Sequence, residues 1–135
     1  MDYRKLLSLA EEAKERSYSP YSGFRVGAAI LTTDGKVITG ANVESATYGA
    51  TICAERAAVV RAVSEGHRDF EAIAVASDAK EGSFPCGICR QFLAEFGIGI
   101  KVITGKAEGE IQVNTVADLL PFAFTGKELP GREKE

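Results

Sequence analysis

Three cysteines, and only three, constrain this 135-residue chain more than any other feature. Two stand in Pro85-Cys86-Gly87-Ile88-Cys89 and the third opens Cys53-Ala54-Glu55-Arg56. An odd number cannot pair off completely as disulfides, and Cys-x-x-Cys is a common half-site for tetrahedral zinc. The reading that uses all three is a fold that carries Cys53 to the Cys86/Cys89 pair, so that three thiolates hold one Zn²⁺. Both Cys53 and Cys86 fall where helices are expected to begin. Free backbone N–H groups and the helix dipole favour a thiolate there.

Three protein ligands leave a tetrahedral ion one further position. A structural site closes it with a fourth residue, and a catalytic site leaves it to water. The only histidine, His67, lies at the far end of the helix that Cys53 starts, roughly 20 Å along it at 1.5 Å per residue, and reads as a surface-turn residue. A purely structural zinc knuckle would need a fourth ligand, and a redox Cys-x-x-Cys would leave Glu55 without a role. Glu55, two residues after Cys53, is placed to carry protons beside the metal without ligating it. Zinc with three thiolates carries a net charge of about −1, which weakens it as a Lewis acid. A guanidinium donating to sulfur offsets that, and Arg56 is the first candidate for this role, with Arg90 beside Cys89 the second.

The remainder of the chain is that of an ordinary soluble domain. Apolar residues make up 45% and charged residues 26%, typical of globular proteins, and the length suits one domain spanning 1–135. The net charge of −3 argues against a nucleic-acid partner. Apolar runs fall well short of the ~18 residues of a membrane span, and the first residues lack a signal peptide's apolar stretch, so a cytoplasmic protein is expected.

Leu6, Leu7, Ala10 and Ala13 recur at helical spacing within a helix expected over 2–17, capped by Asp2 and stopped by Pro20. Phe24–Thr32 and Lys36–Gly40 flank Asp34-Gly35 as a hairpin. An alanine-rich helix follows over 53–65, then a doubly apolar strand over 70–77, a helix over about 86–96, strands over 98–104 and 110–113, and a short helix capped by Thr115. The tail after about 126 is polar and expected to be loose. The order α-β-β-α-β-α-β-β-α predicts one mixed sheet covered on both faces.

These residues resemble a family. Cys53-Ala54-Glu55 followed by Pro85-Cys86-Gly87-Ile88-Cys89 matches the Cys-or-His-x-Glu … Pro-Cys-x-x-Cys pattern of zinc-dependent nucleobase deaminases. Pro20-Tyr21-Ser22-x-Phe24, Asn42-Val43-Glu44, Cys89-Arg90-Gln91 and Leu119-Leu120-Pro121-x-Ala123-Phe124 extend the likeness to the small three-cysteine cytidine deaminases, over about residues 2–129. The resemblance implies an α/β fold, a three-layer αβα sandwich with a five-stranded mixed sheet. It implies hydrolysis of cytidine and deoxycytidine, with Glu55 as proton carrier and Cys53, Cys86 and Cys89 as zinc ligands. It further implies that Asn42 and Glu44 bind the ribose, that Phe24 lies on the base and that the Ala54 N–H meets the base carbonyl. The active form would be a homotetramer, with Phe124 and Tyr48 entering a neighbour's pocket. Phe122 is bulkier than the residue usual in its slot. The competing readings are a deaminase of another aminopyrimidine such as blasticidin S, a polynucleotide-editing deaminase, and a zinc-binding module without catalysis.

Overall fold

The computed structural model describes residues 1–130. Four helices and five strands follow the predicted order: α1 (Tyr3–Lys14), β1 (Val26–Thr32), β2 (Val37–Ala41), α2 (Ala54–Ser64), β3 (Phe70–Ser77), α3 (Gly87–Ala94), β4 (Lys101–Gly105), β5 (Ile111–Thr115) and α4 (Val116–Leu119). The strands form one sheet in the order β2-β1-β3-β4-β5. Neighbours are antiparallel except β3 and β4, which run parallel. A parallel pair needs a crossover, and α3 supplies it.

Alternation along the strands divides the core into two layers. Ala29, Leu31, Ala72, Ala74 and Ile103 face α1 through Leu6, Leu7 and Ala10. Ala28, Ile30, Ile73 and Val102 face the other way, against Ala54, Ala58 and Ala62 of α2 and Leu93 of α3. The result is the expected three-layer sandwich. Two glycines allow the helices to press directly on the sheet. A Cβ on Gly27 would stand 2.1 Å from the Ala10 carbonyl oxygen, and one on Gly40 would stand 2.5 Å from the Ala58 nitrogen. Among the described residues, no helix is long and apolar enough to cross a membrane.

The element ends differ from the sequence reading for local reasons. The first helix stops at Lys14 because the chain tightens into 3₁₀-type bonds from Glu15, Arg16 and Ser17 before Tyr18 bridges to Val43. The first strand begins at Val26, since Phe24 and Arg25 are bound by side chains instead of a ladder. The expected strand over 98–104 is shifted to Lys101–Gly105, after a turn closed from Ile100 to Gly97. The fifth strand runs on to Thr115, beyond the expected Val113. Asp2 caps α1 by accepting from the Arg4 N–H, and Thr115 with Asp118 forms a capping box on α4. In the tail, Gly126–Glu128 forms a 3₁₀ turn, and the last five residues of the expected loose segment, 131–135, lie outside the described residues.

Candidate metal centre and active site

Each sulfur reaches the site by a different route. Val43 exchanges two hydrogen bonds with Ile52, at 3.0 and 2.9 Å, and this sets Cys53 beside the end of β2. Cys53 is the N-cap residue of α2, and Cys86 is the N-cap residue of α3. Both have extended backbones, and neither side chain caps its own helix. Two helix N-termini therefore meet at the sulfurs, with their positive dipole ends directed there. Cys89 follows in the first turn of α3 and is buried, while Cys86 is exposed and Cys53 half-buried.

The donor set fits zinc. The Cys53 and Cys86 sulfurs are 3.9 Å apart, and all three lie within 4.8 Å of one another. A tetrahedron with Zn–S bonds near 2.3 Å has edges of about 3.8 Å. Without a metal, three adjacent thiols cannot all ionise. A hydrogen bond from Cys89, supported by Arg56, brings Cys53 down to about 5, and that same bond together with burial pushes the Cys89 thiol up. A divalent cation would hold all three as thiolates. Among the described residues the cluster contains no histidine, and His67 instead closes the C-terminus of α2 through its backbone.

Glu55 stands in the first turn of α2 and is 4% exposed. Burial pushes its carboxyl up to about 7, with the Cys53 charge adding to the shift. A carboxyl held there can both take and give a proton near neutral pH. Arg56 reaches back as expected, its Nη2 lying 3.5 Å from the Cys53 sulfur and 3.4 Å from the Thr51 carbonyl oxygen. Its Nε is buried without a hydrogen-bond partner. Arg90 does not take the part of a second sulfur donor. Its Nε donates to the Pro85 carbonyl at 2.7 Å and its Nη1 to the Leu119 carbonyl at 2.9 Å.

Beside this centre, a concavity of about 350 Å³ is lined by Tyr21, Ser22, Glu44, Ser45, Tyr48 and Thr51. Glu44 accepts from the Tyr21 and Ser22 N–H groups, at 3.0 and 3.1 Å, and from the Ser22 hydroxyl. These bonds hold its carboxyl below the usual carboxylate range, the Ser22 hydroxyl chiefly. Asn42, expected from the resemblance to bind the ribose, is already engaged by its own chain. It is 8% exposed, its Oδ1 accepts from the Ser17 hydroxyl and the Val26 N–H, and its Nδ2 donates to the Phe24 carbonyl. One Nδ2 hydrogen is left over. Phe24 is 40% exposed and Ala54 fully buried. Tyr48 packs edge-on against Tyr21 of its own chain, with ring centroids 5.9 Å apart. Phe124 lies elsewhere, on the far side of α3, where its carbonyl accepts from Gln91, and Phe122 is wholly exposed with φ of 56°.

Ser22 escaped the sequence reading. Its hydroxyl accepts from the Phe24 N–H and donates to Glu44, tying the two together. The available signal was a serine two residues before Phe24, the spacing of a side-chain turn.

Three thiolates beside a buried acid, on a five-stranded αβα sandwich, define a zinc hydrolase centre. The family follows from comparison with known proteins. Residues 1–106 match the family described as the cytidine and deoxycytidylate deaminase zinc-binding region, and the chain belongs to it. A cytidine deaminase from Halalkalibacterium halodurans is 52% identical over 130 residues, covering 96% of this chain and 98% of that protein. A cytidine deaminase from Sporosarcina psychrophila is 46% identical, with 96% of each covered. Among solved structures, the cytidine deaminase of Burkholderia pseudomallei aligns with a TM-score of 0.88 at 44% identity, covering 92% of this chain and 100% of that one.

Proposed function

We propose that this chain catalyses the hydrolytic deamination of cytidine to uridine with release of ammonia, and accepts deoxycytidine as a second substrate. The observation that carries this reading is the buried Glu55 carboxyl beside the three-sulfur cluster. Cys53, Cys86 and Cys89 would hold the metal. Zinc, when bound there, would supply a Lewis acid that makes the attacking water more acidic. Glu55 removes one proton of the water and hands it to N3 of the base as the new C4–O bond forms; it then takes the remaining proton from the new C4 hydroxyl and passes it to the amino group, so that ammonia leaves as the C4–N bond breaks and the C4 oxygen becomes a carbonyl. Arg56 draws charge from the Cys53 sulfur.

The Ala54 N–H, in the first turn of α2 and without an intrahelical acceptor, meets the base carbonyl. Phe24 lies against the ring. Glu44 accepts from the sugar hydroxyls, and a carboxylate there disfavours a phosphate, so a nucleoside is selected over a nucleotide. Asn42 contributes its one spare Nδ2 hydrogen to the same sugar. Residues 1–135 act as one domain, the working form is a homotetramer in the cytoplasm, and Tyr48 and Phe124 complete neighbouring pockets. The exposed Tyr48 and Phe124 rings support that assembly.

Loss of cytidine absorbance on adding the protein, with and without a strong chelator, tests the reaction, and deoxycytidine is run beside it. Glu55→Gln should keep one zinc per chain and lose ~10²- to 10⁴-fold in turnover, the usual share of general acid–base catalysis. Full turnover in that variant refutes the assignment. Light scattering of the native protein reads the assembly.

A further inference from the structure

We propose that Arg90 is a positioning residue of the metal centre, fastening the Pro85–Cys86 peptide to the end of α4 and thereby setting where the Cys86 sulfur stands. The proposal rests on the three-cysteine zinc site. Cys89 is enclosed by the core, but Cys86 is exposed, so side-chain packing cannot place its sulfur. The backbone must do so. Arg90 holds that backbone at two consecutive carbonyls: its own N–H bonds the Cys86 carbonyl at 3.0 Å and its Nε bonds the Pro85 carbonyl at 2.7 Å.

The Pro85 carbonyl belongs to the peptide plane from which the Cys86 Cα–Cβ bond projects, so fixing that plane aims the sulfur. The second arm of the guanidinium anchors the strut. Nη1 donates at 2.9 Å to the carbonyl of Leu119, 29 positions away, on a helix end that packs against the core. A planar guanidinium can serve both carbonyls at a fixed separation, and a lysine ammonium cannot reproduce that fork. Gln91, the next residue, donates to the Phe124 carbonyl and makes no bond to the metal loop.

The test measures zinc transfer from the native enzyme to a chelating dye. Cobalt-substituted protein adds the thiolate-to-cobalt absorption bands as a direct view of ligand geometry. Arg90→Met keeps the apolar stem and the backbone bond to Cys86 and removes both guanidinium bonds. It should release zinc about 10- to 100-fold faster, the usual cost of losing a partner that orients a metal ligand, and should shift the cobalt bands. Arg90→Lys, which can hold one carbonyl, should fall between, and it carries the test if Arg90→Met fails to fold. Gln91→Leu should release zinc at the native rate. Native-rate release from both Arg90 variants overturns the proposal, and so does faster release with unchanged cobalt bands, which would mark a loss of general stability. Absence of zinc from the wild-type protein would instead defeat the metal reading itself.

Discussion

Replacing Arg56 by alanine isolates what one guanidinium does for a thiolate-rich metal centre. Three thiolates and Zn²⁺ sum to −1, and Arg56 Nη2 stands 3.5 Å from one of the sulfurs. Hydrogen bonds to charged groups contribute about 1.5–3 kcal/mol, and so long a contact belongs near the lower half of that range. A loss of about 2 kcal/mol corresponds to roughly 30-fold weaker zinc binding, at 1.4 kcal/mol per tenfold. The same substitution leaves more charge on sulfur and lowers the acidity the metal confers, so turnover at saturating zinc should fall as well. Stability of the metal-free protein should change less than zinc affinity, because Nε has no hydrogen-bond partner to lose and the Nη2 bonds to the Thr51 carbonyl and the Cys53 sulfur are long, at 3.4 and 3.5 Å. The assay is threefold: zinc release to a chelating dye, kcat with zinc in excess, and urea unfolding of the metal-free form. Arg56→Lys keeps the charge without the fork and should recover part of the loss. Unchanged zinc release and turnover in Arg56→Ala refute the reasoning, and so does a loss confined to metal-free stability.

Two further perturbations test the scaffold. Gly27→Ala places a methyl 2.1 Å from the Ala10 carbonyl oxygen and 2.4 Å from the Lys14 nitrogen, so α1 must lift from the sheet. The urea midpoint should drop by an equivalent of about 1–3 kcal/mol, and an unchanged midpoint would contradict the close approach. Asp78 accepts from the Arg25 backbone N–H, Nε and Nη2 and pairs with Lys14, and the Arg25 side chain chiefly holds its carboxyl below the usual range. A depressed folded pKa stabilises above the ordinary value of about 3.9 and loses its effect as pH falls below it. The gap in urea midpoint between wild type and Asp78→Asn should therefore be full at pH 7 and narrow below about pH 4. A gap independent of pH would show that the carboxylate's charge is not what Arg25 responds to.

The three-sulfur cluster was legible in the sequence because much of its information is local. Cys86 and Cys89 are a fixed turn apart, Glu55 and Arg56 follow Cys53 directly, and the three sulfurs do converge. Helix caps at Asp2 and Thr115 were legible for the same reason. What could not be read depends on groups distant in sequence. Nothing near Asn42 in the sequence announces that Ser17, Phe24 and Val26 converge on its side chain. Arg90 looked like a sulfur donor, yet its strongest claims come from the carbonyls of Pro85 and Leu119. Strand order, too, is a property of the folded sheet: nothing local places β1 between β2 and β3.

The meeting of Cys53 with Cys86 also has a consequence in polymer terms. The two positions are 33 residues apart, and the chain between them includes α2 and the central strand β3. An ion shared by both sulfurs is a reversible cross-link across that loop. By the chain-entropy relation for a cross-link of this span, it would restrict the unfolded ensemble by on the order of 4 kcal/mol. Where the ion stays on both sulfurs as the chain unfolds, occupancy of the centre doubles as a tether on the unfolded chain. The availability of zinc in the medium then governs how much conformational freedom unfolding can regain.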